Sequence, residues 1–207
     1  MFDPAQLLGF VAAVVVLVLV PGPNTVIILT QSVGGGRGAG LATVAGVEVG
    51  TLMHTLAAAL GLSTLLSTSA FAFHAVKLAG AVYLVVIGYR MLRQNTIQLA
   101  SAPQLPPHVA FRRALVTNML NPKSALFFLA FLPQFVNAER GSVFLQFILL
   151  GLIVSIVGGC FGSSIALAAA SLTRWLQRNA RIEKWQQRIA GSALICVGIR
   201  LAFVDAD

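Results

Sequence analysis

A chain of 207 residues that is 57% hydrophobic and 10% charged carries less than half the charge of a soluble globular domain, where about a quarter of residues are ionic. A water-soluble enzyme is thereby excluded and a polytopic all-α membrane protein is expected. The formal net charge of +8 is then read by where the basic residues fall between apolar segments, not as a sign of nucleic-acid binding.

A membrane-crossing helix needs about 20 mostly apolar residues. Six windows qualify, at 6–33, 39–66, 70–92, 111–137, 142–172 and 183–204. The first opens with Met1-Phe-Asp-Pro4, has no basic residue ahead of its apolar run, and contains Pro21-Gly-Pro23, a poor cleavage site. It is therefore expected to be a retained span and not a signal peptide. Those prolines interrupt it. Gly22-Pro23 suits a new helix start, with Asn24 and Thr25 in its first turn. The following Gly34-Gly-Gly-Arg-Gly-Ala-Gly40 lacks the Gly-Lys-Ser/Thr ending of a phosphate loop and is expected to be a flexible turn.

In the second span, Gly46, Gly50, His54 and Ala57 or Ala58 share one helical stripe, which suits close helix packing. Glu48 lies beside that stripe. It and Lys123 are the two charged groups well inside spans. At about 2.5–3.5 kcal/mol each on the insertion scale, such groups are candidates for function. A mutual ion pair, or Lys123 reaching toward the interface, is the competing reading. His54 is expected to be a hydrogen-bonded packing residue, with proton relay as its alternative role.

Residues 94–109 are polar and proline-rich and separate two halves, 1–93 and 110–207, of a single transporter domain spanning 1–207. Three spans in each half force the second half to enter the membrane in the opposite sense. The expected fold is thus six transmembrane helices arranged as two inverted three-helix repeats. The symmetry predicts a break in the fourth span, and Asn121-Pro122 supplies it, with Asn121 as N-cap and Pro122 at the first helical position. Matched breaks in corresponding spans point to a transporter's binding site. Two helix starts brought together offer free amides and positive dipole ends to a carboxylate. In the fifth span Gly158 and Gly162 repeat the small-residue spacing. Cys160 and Cys196 lie in the last two spans and do not read as a disulfide framework.

With the N-terminus outside, the inward loops hold ten basic residues (Arg37, Arg90, Arg93, Arg112, Arg113, Arg174, Arg178, Arg181, Lys184 and Arg188) against Lys77, Arg140 and Arg200 outside. This asymmetry places both termini outside. Trp175 and Trp185 flank the last inward loop as interfacial anchors. The three histidines, His54, His74 and His108, are scattered and suggest no metal site. No nucleophile elbow, zinc-protease motif or close pair of membrane carboxylates is present. Neither an enzyme nor a cofactor is expected.

Pro21-Gly-Pro-Asn-Thr25, Arg37-Gly-Ala-Gly40, Lys77-Leu-Ala-Gly-Ala-Val-Tyr-Leu84 with Gly88, and Asn118-Met-Leu-Asn-Pro-Lys-Ser-Ala-Leu-Phe-Phe-Leu-Ala-Phe-Leu-Pro-Gln-Phe135 together resemble the LysE/RhtB family of amino-acid exporters. The resemblance runs from the first span to Gly191. It implies a bacterial cytoplasmic-membrane efflux protein driven by the proton motive force or membrane potential. The motif positions match Pro21, Gly22, Pro23, Asn24, Asn121, Pro122 and Lys123. Many family members carry an acidic residue in the fifth span, where Val154–Ser164 here has none, and an acid or amide where Thr51 stands. Both departures shift the coupling role onto Glu48.

The leading expectation is secondary export of a small amino acid or derivative, neutral in preference to dibasic. Asn24, Asn121 and Lys123 would receive its carboxylate, and Glu48 its amine or a coupling proton. A dibasic substrate would need a second acceptor such as Thr51. The alternatives are export of a small inorganic or organic anion by the same fold and a non-transport membrane subunit. The small-residue stripes suit a homodimer as well as packing within the chain.

Overall fold

The computed structural model describes residues 2–19, 22–68 and 105–178, with scattered positions between 78 and 93 and between 188 and 199. Most of the expected linker, most of the third and sixth expected spans, and Pro21, His74, Lys77 and Trp185 lie outside the described residues. Among the described residues every regular element is helical. They are α1 (Pro4–Leu19), α2 (Pro23–Thr68), α3 (Pro107–Met119), α4 (Pro122–Leu126) and α5 (Val143–Arg178). Between α4 and α5 the chain makes a π-helical turn (Phe127–Phe131) and two 3-10 turns (Leu132–Phe135 and Ala138–Arg140).

α1 starts where Asp3 Oδ1 accepts from the amides of Ala5 and Gln6 at 2.9 and 3.3 Å. It has 16 residues, about 24 Å at 1.5 Å per residue, and so falls short of a hydrocarbon core of about 30 Å. The first span needs the start of α2 to complete it. α2 contains one non-helical residue, Gly36, at φ 76° and ψ −175°, a conformation open to glycine because it has no Cβ. The chain folds back there. Gly40 lies against Ser32, and Ile28 and Val44 both approach Gly162 to within 3.2 Å of its Cβ position. The flexible turn expected over residues 34–40 is thus tightened onto one residue between two helical arms, 23–35 and 37–68.

α3 and the helical stretch Pro122–Phe135 that α4 opens are bent by 48° across Leu120 and Asn121, the geometry of a broken span or a re-entrant loop. Pro23–Leu62 and Val143–Ala169 are also long and apolar enough to cross a membrane. The π-helical turn has a local cause. Pro133 has no amide hydrogen, and its ring clashes with the carbonyl four residues earlier, at Leu129, so the backbone widens before it.

α2 is the central element and packs chiefly on α3 and α5. Glycines permit the close approach. A Cβ at Gly46 would meet the Phe111 carbonyl and Ala114 on α3, and one at Gly151 would overlap Thr55. The Gly46–Gly50 stripe is therefore used within the chain, against α3. Two apolar clusters result. One joins Phe10, Val14, Ala58, Leu62, Phe127, Phe131, Phe147 and Leu150; the other joins Ile28, Leu29, Val44, Val47, Ala114, Ile165 and Ala169.

Candidate functional site

Both expected helix starts form, for local reasons. The Gly22 carbonyl accepts from the Val26 amide at 3.0 Å, with Pro23 opening α2. The Asn121 side chain accepts from the Lys123 amide at 3.0 Å, which caps α4, and Pro122 occupies its first position. The two starts meet. Asn121 Nδ2 donates to Asn24 Oδ1 at 3.3 Å across 97 residues of sequence.

A cavity of about 100 Å³ opens at this meeting point. Gly22, Asn24 and Thr25 line it from α2's first turn, Asn121, Lys123 and Ser124 from the second break, and Glu48 and Thr51 from the second arm of α2. Its remaining wall is aliphatic and aromatic, including Leu17, Val18, Ile28, Phe127, Phe128, Val154, Phe161 and Ile165. Pro23 and Pro122 shape the helix starts without lining the cavity. Pro21 lies outside the described residues.

Glu48 and Lys123, half-buried, are each held by a described partner. Glu48 Oε2 accepts from Ser155 Oγ at 2.7 Å, and its Oε1 lies 3.0 Å from where a Cβ at Gly158 would stand. Lys123 Nζ donates to the Leu17 carbonyl at 3.1 Å. That carbonyl belongs to the last turn of α1, where carbonyls lack helical partners and the dipole favours a cation. Lys123 thus ties the end of α1 to the start of α4. Thr51 Oγ1 donates to the Val47 carbonyl at 3.1 Å. His54 stands apart from the cavity lining: its Nε2 pairs with the Asn118 carbonyl at 3.0 Å and its ring stacks on Phe128 at 5.8 Å.

Two contributors, Ser155 and Asn118, had not been assigned a role from sequence, and Gly158 had been assigned only to helix packing. Ser155 and Gly158 shape the surroundings of Glu48. Asn118 is fully buried and bonds to four groups at once: it accepts from Asn24 Nδ2 at 2.9 Å and Ser124 Oγ at 2.8 Å, and donates to the Val47 carbonyl at 2.6 Å and Thr51 Oγ1 at 3.0 Å. The available signal for Asn118 was its place one helical turn before Asn121 in the motif.

The arrangement pairs an acidic group and a basic group with two helix starts inside a mostly apolar chamber, a fit for a small zwitterion. The chain matches the LysE type translocator family over residues 15–204. It is a member of that family. Like other LysE type translocators it is a membrane protein. It is 32% identical over 200 residues to an uncharacterized membrane protein of Pseudomonas aeruginosa, covering 93% of each chain. It is 30% identical over 200 residues to a leucine efflux protein of Salmonella typhimurium, covering 95% of this chain and 94% of that one. A leucine efflux protein of Klebsiella pneumoniae is 28% identical over 208 residues, covering 99% and 98%. No solved structure matches this translocator.

Proposed function

We propose that this chain is a secondary active exporter of a neutral, apolar amino acid or a close derivative, working in the bacterial cytoplasmic membrane. One observation carries the reading: the cavity between the two helix breaks presents Glu48 and Lys123 within a wall of aliphatic and aromatic side chains. The substrate carboxylate meets Asn24, Thr25, Asn121 and the amides of the two starts, with Lys123 supplying positive charge. Its ammonium meets Glu48, and its side chain packs on residues such as Val18, Ile28 and Phe161. The relatives named for leucine efflux support a cargo of this kind. A dibasic substrate would require a second acceptor, and Thr51 is already engaged with Val47 and Asn118.

Transport proceeds by alternating access, with two inverted three-helix halves rocking around the breaks and both termini outside. The proton motive force drives it. Glu48 carries the amine and the proton by turns, so that cargo leaving and proton entering use one carboxylate. An exporter of inorganic or organic anions would use the helix starts but leave Glu48 without a role.

Counterflow in proteoliposomes tests the reading. Purified protein is offered labelled leucine and a panel of other amino acids and anions, with and without an imposed pH gradient. Leucine or a similar neutral amino acid accumulates, the gradient raises its accumulation, and Glu48→Gln abolishes that response while the protein remains folded. Unchanged transport by Glu48→Gln would overturn the role of Glu48, and accumulation of anions alone would overturn the choice of cargo.

A further inference from the structure

We infer that Asn118 is the positioning residue that makes the two helix starts one receptor, acting on cargo through Asn24, Thr51 and Ser124. The inference deepens the export reading and rests on it for the identity of the cargo. Asn118 is fully buried and does not line the cavity, so it does not touch a substrate. Three of the groups it bonds do line the cavity: Asn24 from the first break, Ser124 from the second, and Thr51 from the second arm of α2. A fully satisfied buried polar network of this kind specifies one arrangement of the elements it joins.

The backbone at Asn118 adds to the case. Its carbonyl accepts from the Asn121 amide at 3.0 Å and pairs with His54 Nε2 at 3.0 Å, so the end of α3 is held from two sides. The side chain gains access to α2 because position 50 is glycine. A Cβ there would stand 2.9 Å from Asn118 Nδ2 and 3.0 Å from its Cβ. Gly50 and Asn118 are thus complementary parts of one contact, separated by 68 residues of sequence. Without the Asn118 side chain, Asn24 retains its bond with Asn121 and the backbone bond to His54 remains, but the side-chain tie from the pair to Val47 and Thr51 on the arm that carries Glu48 is lost.

Two variants probe the same contact differently. Asn118→Ala removes the polar group; Gly50→Ala keeps every polar group and pushes Asn118 aside. Hydrogen exchange without cargo reads the positioning directly. In both variants exchange at residues 24–26 and 123–125 rises together by about tenfold or more, while the start of α5 is unchanged. Faster exchange confined to residues 123–125, or no change at either start, would overturn the inference whether or not leucine is the cargo.

Leucine counterflow supplies the second readout. Asn24→Ala and Asn118→Ala each raise the half-saturating concentration by about tenfold with maximal rate changed less, and the double variant falls well short of the hundredfold product because part of each effect passes through the bond the two share. A rise of about a hundredfold in the double variant would mean independent effects and would overturn the inference. Wild-type protein that moves no amino acid would instead refute the export reading, leaving the exchange measurement to decide the role of Asn118.

Discussion

Alanine placed at Gly158 and at the adjacent Gly159 separates the proposed amine site from general packing. A Cβ at Gly158 would stand 3.0 Å from Glu48 Oε1, closer than a methyl and a carboxylate oxygen tolerate, whereas one at Gly159 meets Glu48 Cγ and Cδ at 3.6 and 3.8 Å, ordinary contact. Both changes replace a helical glycine and favour the helix by about 0.5–1 kcal/mol, so neither is expected to unfold α5. At position 158 the carboxylate must give by a few tenths of an ångström, at the expense of the 2.7 Å bond its other oxygen accepts from Ser155. A hydrogen bond to a charged group contributes about 1.5–3 kcal/mol. Losing about half of it, roughly 1 kcal/mol, corresponds to about a fivefold rise in the half-saturating leucine concentration. Gly159→Ala stays within about twofold. Counterflow kinetics on the two proteins, matched for amount reconstituted, make the measurement. Equal shifts in both variants, or none at Gly158→Ala, would refute the placement of the amine at Glu48.

Replacing Gly151 with Val drives a branched side chain into Thr55 on the facing helix; overpacking of this kind costs about 1–3 kcal/mol and should lower the melting temperature in detergent. Lys123→Met removes the donor to the Leu17 carbonyl. Hydrogen exchange should accelerate at the end of α1, and the half-saturating leucine concentration should rise by about tenfold or more, with Lys123→Arg intermediate. An unchanged α1 would refute the tie between Lys123 and Leu17.

What could be read in the sequence was local. Pro23 and Asn121-Pro122 mark helix starts because a missing amide hydrogen and a capping side chain act within a few residues. Glu48 and Lys123 stood out because charge in an apolar span is costly. Ser155 and Asn118 did not, because serine and asparagine are unremarkable along a membrane helix. Their roles depend on partners 107 and 94 residues away. The turn at Gly36 was expected over seven residues and needs one, since the glycines on either side continue the helix. The widened backbone at Phe127–Phe131 follows from Pro133, but the sequence does not say whether a proline will kink, break or widen its helix.

The two apolar clusters differ in kind. The one that includes Phe10, Phe127, Phe131 and Phe135 is knitted by ring contacts with centroids 4.9–6.4 Å apart; the other is largely aliphatic. In the orientation proposed above, with both termini outside, the aromatic cluster would face the surroundings and the aliphatic one the cytoplasm. Parting the aliphatic cluster would then give up less ring packing, and an idle exporter of the proposed kind would rest open to the pool it empties. Such an imbalance would favour loading from within as a matter of rate, leaving the driving gradient to set the direction of net flux.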